Sequence, residues 1–192
     1  MNFKLLNFTK ATLAISFALG PISAYAEDAS AGLNGCYNAV RGHVETLSIS
    51  QTQQLGTYRI VLKRDNWASL REDEQSYTIK RFVAAGPILG TINSVENTGQ
   101  ATLNHVISDK ERRGLFLSQN DVFIPTAPPE FCNNEGGYIL TGIENVSIVA
   151  GTGIFAGLVP QQGTPIQVEG TFNSCSGQND FEVIDGQVCF QK

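Results

Sequence analysis

The chain has 192 residues, 42% of them hydrophobic, with 13 basic and 18 acidic side chains. That length can bury the core of one domain. The acidic balance excludes nucleic acid as an expected partner and disfavours an anionic membrane surface, because both would repel it. No apolar run reaches the roughly 20 residues a spanning helix needs.

Residues 1 to 26 read as a secretory signal. Lys4 and Lys10 supply the positive start, residues 11 to 19 form a short apolar run, and Ala24-Tyr25-Ala26 is a small-x-small cleavage site. Cleavage near Ala26 leaves one expected domain, residues 27 to 192, secreted or periplasmic. Without Lys4 and Lys10, 11 basic residues face 18 acidic ones, a net of −7. All four cysteines, Cys36, Cys132, Cys175 and Cys189, fall in this mature part. An even number in an exported chain points to two disulfides. Three connectivities are open. Cys175 and Cys189 flank one expected turn, which favours that pair and leaves Cys36 with Cys132. The cysteines lack the close C-x-x-C pairs of zinc sites, so no metal is expected on them.

Short segments then alternate apolar and polar residues: 57 to 63 (TYRIVLK), 77 to 83 (YTIKRFV), 101 to 107 (ATLNHVI) and 165 to 172 (PIQVEGTF). Such a period of two marks half-buried strands of antiparallel sheets. Turn-forming clusters separate them, at Asn97-Thr98-Gly99, 108 to 114 (SDKERRG), 133 to 137, 176 to 179 and Asp185-Gly186. Only residues 66 to 75 (NWASLREDEQ) fit a helix, with Ser69 and Glu72 spaced as a capping box; a polar hairpin loop suits them equally. The proline-rich stretch 125 to 134 reads as a loop outside the sheet. The rhythm is that of a barrel or sandwich.

Residues 151 to 156, GTGIFA, match the G-x-G-x-x-A fingerprint of dinucleotide-binding loops, and Glu169 follows at a suitable distance. That loop works only where a helix begins directly after it, so that the helix N-terminus holds the pyrophosphate. Here Gly157 and Pro160 would break such a helix. The expected alternative is strand–turn–strand. Residues 143 to 151 (IENVSIVAG) form one strand, the glycines take backbone angles closed to other residues, and Phe155 plugs the barrel or its end. Gly170 marks a bend or a close backbone contact.

The stretch AGTGIFAG resembles the glycine turn of the allene oxide cyclase-like and dirigent-like barrels, including small secreted bacterial members. Gly151, Thr152, Gly153, Phe155 and Gly157 fit that turn, and the likeness runs from Ile143 to Phe190. Ala150, Leu158 and Pro160 depart from it. The resemblance implies an all-β fold, an antiparallel eight-stranded barrel, and it implies cofactor-free work by binding and orientation, either cyclising an unstable fatty-acid epoxide or steering phenoxy-radical coupling. Members of that superfamily often form dimers or trimers, so a homo-oligomer is a further expectation. None of the family's polar pocket residues is carried over to this chain.

Few residues carry chemistry on their own account. His43 and Glu45 share a strand face and could act as an acid/base pair; an exposed edge pair is the plainer reading. His105 sits between Leu103 and Ile107 and could line an interior as a general base; a hydrogen-bonded core or rim histidine is the plainer reading. Two histidines fall short of a zinc site unless a carboxylate such as Glu45 joins them. Glu144 and Glu169 flank the glycine turn, where they would have to meet to act as a glycosidase pair. No G-x-S-x-G elbow is present. The leading expectation is a barrel that binds a small apolar ligand without cofactor, metal or membrane insertion. The alternatives are a cofactor-free enzyme and a filled barrel that acts through its outer surface. A polar group inside the cavity would favour the enzyme.

Overall fold

A computed structural model of the protein describes residues 33–191 except 77, 112, 133–136 and 161. The secretory signal expected at residues 1 to 26 lies outside the described residues. No helix among them is long and apolar enough to cross a membrane.

The alternating segments form ten strands: β1 (Gly35–Ser48), β2 (Gln53–Arg64), β3 (Arg81–Val95), β4 (Ala101–Ser108), β5 (Leu115–Pro125), β6 (Glu130–Phe131), β7 (Tyr138–Val146), β8 (Ile148–Gly151), β9 (Thr164–Asn173) and β10 (Gln178–Phe190). Every pairing is antiparallel. Eight strands close a ring in the order β1-β2-β3-β4-β5-β7-β9-β10, because β5 pairs with β7 and β10 returns to β1. Closure removes the free edges that an open sheet would expose. The short β6 and β8 extend the β5–β7 seam. The protein is therefore an all-β, antiparallel eight-stranded barrel.

Alternation turns one side chain in two toward the axis. Tyr58, Ile60 and Leu62 of β2, Leu103, His105 and Ile107 of β4, and Ile166 and Val168 of β9 are all buried. One end of the barrel, where β1 begins and β10 ends, is filled by aromatic rings. Phe155 is fully buried there, stacked on Phe116 at 3.9 Å between centroids and edge-on to Phe82 at 5.7 Å. Tyr37 meets Phe190 edge-on at 5.9 Å. The glycine stretch forms this plug. Gly153 has φ +60°, and a Cβ there would stand 1.9 Å from the Arg113 carbonyl oxygen. A short 3-10 turn, Gly153–Phe155, follows instead of a helix, as the breakers Gly157 and Pro160 require. Gly170 lies against β10, where a Cβ would meet the Asp180 carbonyl.

Several sequence expectations are corrected. The strand expected at 77 to 83 starts at Arg81, and Tyr77 lies outside the described residues. Residues 66 to 75 give a 3-10 turn, Trp67–Ser69, and one turn of helix, α1 (Glu72–Ser76), without the capping box. Asn66 takes a left-handed φ of 52° and makes no side-chain cap, while the Glu74 carboxylate accepts from the Arg71 N–H. The single strand expected at 143 to 151 is broken at Ser147, whose N–H donates to a buried carboxylate rather than to the ladder. Asp185-Gly186 is a bulge inside β10, with Gly186 at φ 130°, and not a turn. The proline-rich loop contains the two residues of β6. In the 108 to 114 turn, Asp109 is buried and held by Arg113 at 2.9 Å, so that tip is only partly solvated.

The disulfides join Cys36 to Cys189 and Cys132 to Cys175, not the favoured pairs. The reason is the length of β10. Cys175 precedes that 13-residue strand and Cys189 is its last residue but one, so the two lie at opposite ends of the barrel. Cys36 and Cys189 are direct cross-strand partners of β1 and β10, 4.0 Å apart at Cα. Cys132 and Cys175 tie two connections at the end opposite the aromatic plug.

Candidate functional site

The barrel axis is not wholly apolar. His105 of β4, Ser118 and Asp121 of β5 and Glu144 of β7 all face inward and are buried. His105 Nδ1 lies 2.7 Å from Asp121 Oδ2. Ser118 donates its hydroxyl to the same Oδ2 and accepts the His105 backbone N–H at 2.9 Å. The Ser147 N–H donates to Asp121 Oδ1 at 2.6 Å. Asp121 thus has both oxygens engaged and fixes the imidazole, the orienting role a carboxylate plays behind a working histidine. Glu144 Oε1 stands 3.6 Å from His105 Nδ1 and has no hydrogen-bond partner.

This arrangement sets the protonation. Burial pushes the Glu144 carboxyl up, the His105 charge opposes that, and the nearby Asp121 adds to it, leaving the pKa raised. Burial alone would lower His105, but the Glu144 and Asp121 carboxylates outweigh it and the imidazole pKa is raised. Glu144 and His105 therefore hold protons more firmly than free side chains would.

A second buried chain approaches from the opposite wall. The Asn173 N–H donates to Asn179 Oδ1 (3.0 Å), Asn179 Nδ2 to Thr46 Oγ1 (3.1 Å), and Thr46 Oγ1 to Gln54 Oε1 (3.0 Å). This fixes the Gln54 amide with its oxygen used and its Nε2 unpartnered. A cavity of about 40 Å³ is lined by Gln54, Tyr58, His105 and Glu144 among apolar neighbours including Phe181. A second, of about 20 Å³, is lined by Leu103, Tyr138 and Phe172 and again by Gln54, Glu144 and Phe181. The Tyr58 hydroxyl is also buried and unpartnered. Such spaces take no more than a few water molecules, far below the roughly 300–1,000 Å³ of a pocket for a drug-sized ligand.

Among the described residues, two groups have the residue types of a cation site: His105, Asp121 and Glu144 inside, and His43, Glu45 and Asp180 outside. Inside, the Asp121 oxygens and His105 Nδ1 already serve each other and their donors, so the arrangement is that of a proton network. Outside, His43 bonds Glu45 at 3.0 Å and Glu182 at 2.9 Å across β1 and β10. His43 and Glu45 do share a face, and their side chains are solvated. The Glu45 contact, though partly offset by desolvation, raises the His43 pKa, with Glu182 and Asp180 adding to it.

Of the sequence candidates, His105 is placed inside and His43 with Glu45 outside, so the three do not form one site. Glu144 and Glu169 do not meet: Glu144 points inward while Glu169, opposite Ile143, is exposed on the outer face. Asp121, Ser118 and Gln54 were missed. Gln54 keeps the inward parity of Tyr58, Ile60 and Leu62, a signal that was legible. Asp121 reaches the axis through a bulge at Asn120, with φ 55°, which shifts the β5 alternation by one. No known protein family matches the chain, and no curated protein or solved structure matches it either.

Proposed function

We propose that the barrel takes a small, mostly apolar molecule into its interior and acts on its polar group by acid/base chemistry, without a cofactor. The observation that carries this reading is the unpartnered, buried carboxyl of Glu144 beside the Asp121–His105 pair, on the wall of a cavity that is otherwise largely apolar. An unpaired buried polar group destabilises a fold by about 1–3 kcal/mol, and such groups gather at functional sites. The resemblance of the glycine turn to the allene oxide cyclase-like and dirigent-like barrels supports the same class, a cofactor-free barrel that binds and orients. The disulfides accord with an extracellular or periplasmic location, to which the secretory reading of residues 1 to 26 adds export. Substrate uptake requires the interior to widen. Phe181, Gln54 and Glu144 line both cavities.

Native mass spectrometry of protein purified from its own host, followed by solvent extraction, tests the reading. A co-purifying apolar molecule of defined mass that shifts the His105 imidazole NMR signals is the expected result. Failure of every member of an apolar and phenolic panel to shift those signals would leave the cluster a structural one.

A second reading rests on a separate observation. The outer faces of β4, β5, β7 and β8 carry no charged side chain, because His105, Asp121 and Glu144 point inward. Leu55, Leu89 and Val106 form an exposed row in register across β2, β3 and β4. Arg59, Glu169, Asp180 and Glu182 are exposed instead on β2, β9 and β10. We propose that the uncharged wall pairs with a second copy, since it is where two acidic chains approach without repulsion. The wall is three strands wide, because β8 continues β7 along β5; at about 4.8 Å between strands and eight residues of length it gives roughly 400 Å² per copy, the size of a weak, transient interface. Light scattering should show a dimer or trimer that Val106→Glu dissociates; a wild-type monomer at high concentration would dismiss it.

A further inference from the structure

Two buried polar groups line both interior cavities and lack partners: Gln54 Nε2 and Glu144 Oε1. The Gln54 amide cannot satisfy itself by turning over. Its oxygen is fixed as the acceptor for Thr46, which is itself held by Asn179. An N–H pair is therefore aimed at the cavities as donor only. Glu144 is desolvated on a barrel wall beside a histidine that Asp121 already serves; in its protonated form, which burial favours, it offers an O–H that has no acceptor.

An acceptor ligand completes such a set. A hydrocarbon would leave every donor unpaired, and an ammonium group would bring further donors to a wall already rich in them. A carboxylate would place a third acid beside Asp121 and Glu144. A carbonyl oxygen has two lone pairs and no proton, and it can accept from the amide and the carboxyl together. Paired donors at one oxygen also stabilise the negative charge that grows there when a proton leaves the neighbouring carbon.

Resting on the interior-binding reading above, we propose that the ligand of this barrel is a small, neutral carbonyl compound, its oxygen seated between the Gln54 amide and the Glu144 carboxyl and its apolar body against Ile88, Leu103 and Phe181. The amide is the specificity determinant: it holds its donor forward only while Thr46 occupies its oxygen.

The test uses the mature protein and four matched probes: cyclopentanone, cyclopentane, cyclopentanol and cyclopentylamine. NMR titration gives their affinities, and infrared spectroscopy of carbonyl-labelled cyclopentanone reports hydrogen bonding to its oxygen. The expected result is that the ketone binds about tenfold more tightly than the other three and that its carbonyl stretch falls to lower wavenumber on binding. Gln54→Leu should abolish most of that preference and of the spectral shift. Glu144→Gln keeps an N–H donor and should retain both. Thr46→Val, which frees the amide to turn, should weaken both while leaving the barrel folded by circular dichroism. A ketone bound no better than the hydrocarbon would overturn the carbonyl assignment and leave interior binding standing, as would tightest binding of the amine. No binding of any probe would overturn both.

Discussion

Glu144 is buried, charged only with difficulty, and lacks a partner for Oε1. A group whose pKa is raised by folding supports the fold most below its ordinary value and loses that contribution as pH rises through the folded value. For Glu144 the loss begins above the ordinary carboxylate value of 4.5, and for His105 above 6.5. The melting temperature should therefore decline as pH rises above about 5. Glu144→Gln should flatten that decline and stabilise the protein by about 1–2 kcal/mol at pH 8. A variant with the wild-type pH profile would show that Glu144 ionises without penalty. Asp109 presents the opposite case. Burial would raise its carboxyl, but the Arg113 guanidinium and the Glu111 N–H outweigh that and hold it low. Arg113 also lies over the Phe82 ring at 4.5 Å. Arg113→Ala should destabilise by about 2–3 kcal/mol, because it strands a buried carboxylate and bares an aromatic face; chemical denaturation would measure it, and a loss under about 0.5 kcal/mol would place the pair among ordinary surface ion pairs.

At the scale of elements, the glycine turn is the clearest product of local sequence. Gly151, Thr152, Gly153, Phe155 and Gly157 are expected to shape a turn; in the structure Gly151 ends β8, Gly153–Phe155 form a 3-10 turn, and Phe155 is fully buried. Gly153→Val should destabilise by at least about 3 kcal/mol, because a branched side chain at φ +60° is strained and collides with the Arg113 carbonyl. A neutral result in a urea titration would mean the turn adapts. The strands at 57 to 63, 101 to 107 and 165 to 172 were legible because each buries one face. The break at Ser147 was not legible, since its cause is Asp121, 26 residues earlier in the chain. Nor was the bulge at Asn120, because one extra residue reverses parity without a mark in hydrophobicity.

For the whole molecule, closure and the disulfides act together. Cys36–Cys189 fastens the seam between the first and last strands over a separation of 153 residues, and Cys132–Cys175 fastens the opposite end over 43. The paired replacement Cys36→Ser with Cys189→Ser should destabilise by roughly 3–5 kcal/mol, and the Cys132, Cys175 pair by less, following the smaller loop. Thermal melts of the two double variants and of the reduced wild type would rank them. Equal losses would show that loop length does not govern here.

The sequence by itself determined the all-β class, the strand–turn rhythm, the glycine plug and the inward position of His105. Each of these follows from local alternation or from a backbone angle that only glycine tolerates. The tertiary structure alone decided which cysteines pair, that Glu144 and Glu169 part to opposite faces, and that Asp121, Ser118 and Gln54 join the interior. Those facts depend on strand length, register and ring closure, which bring together residues far apart in the chain.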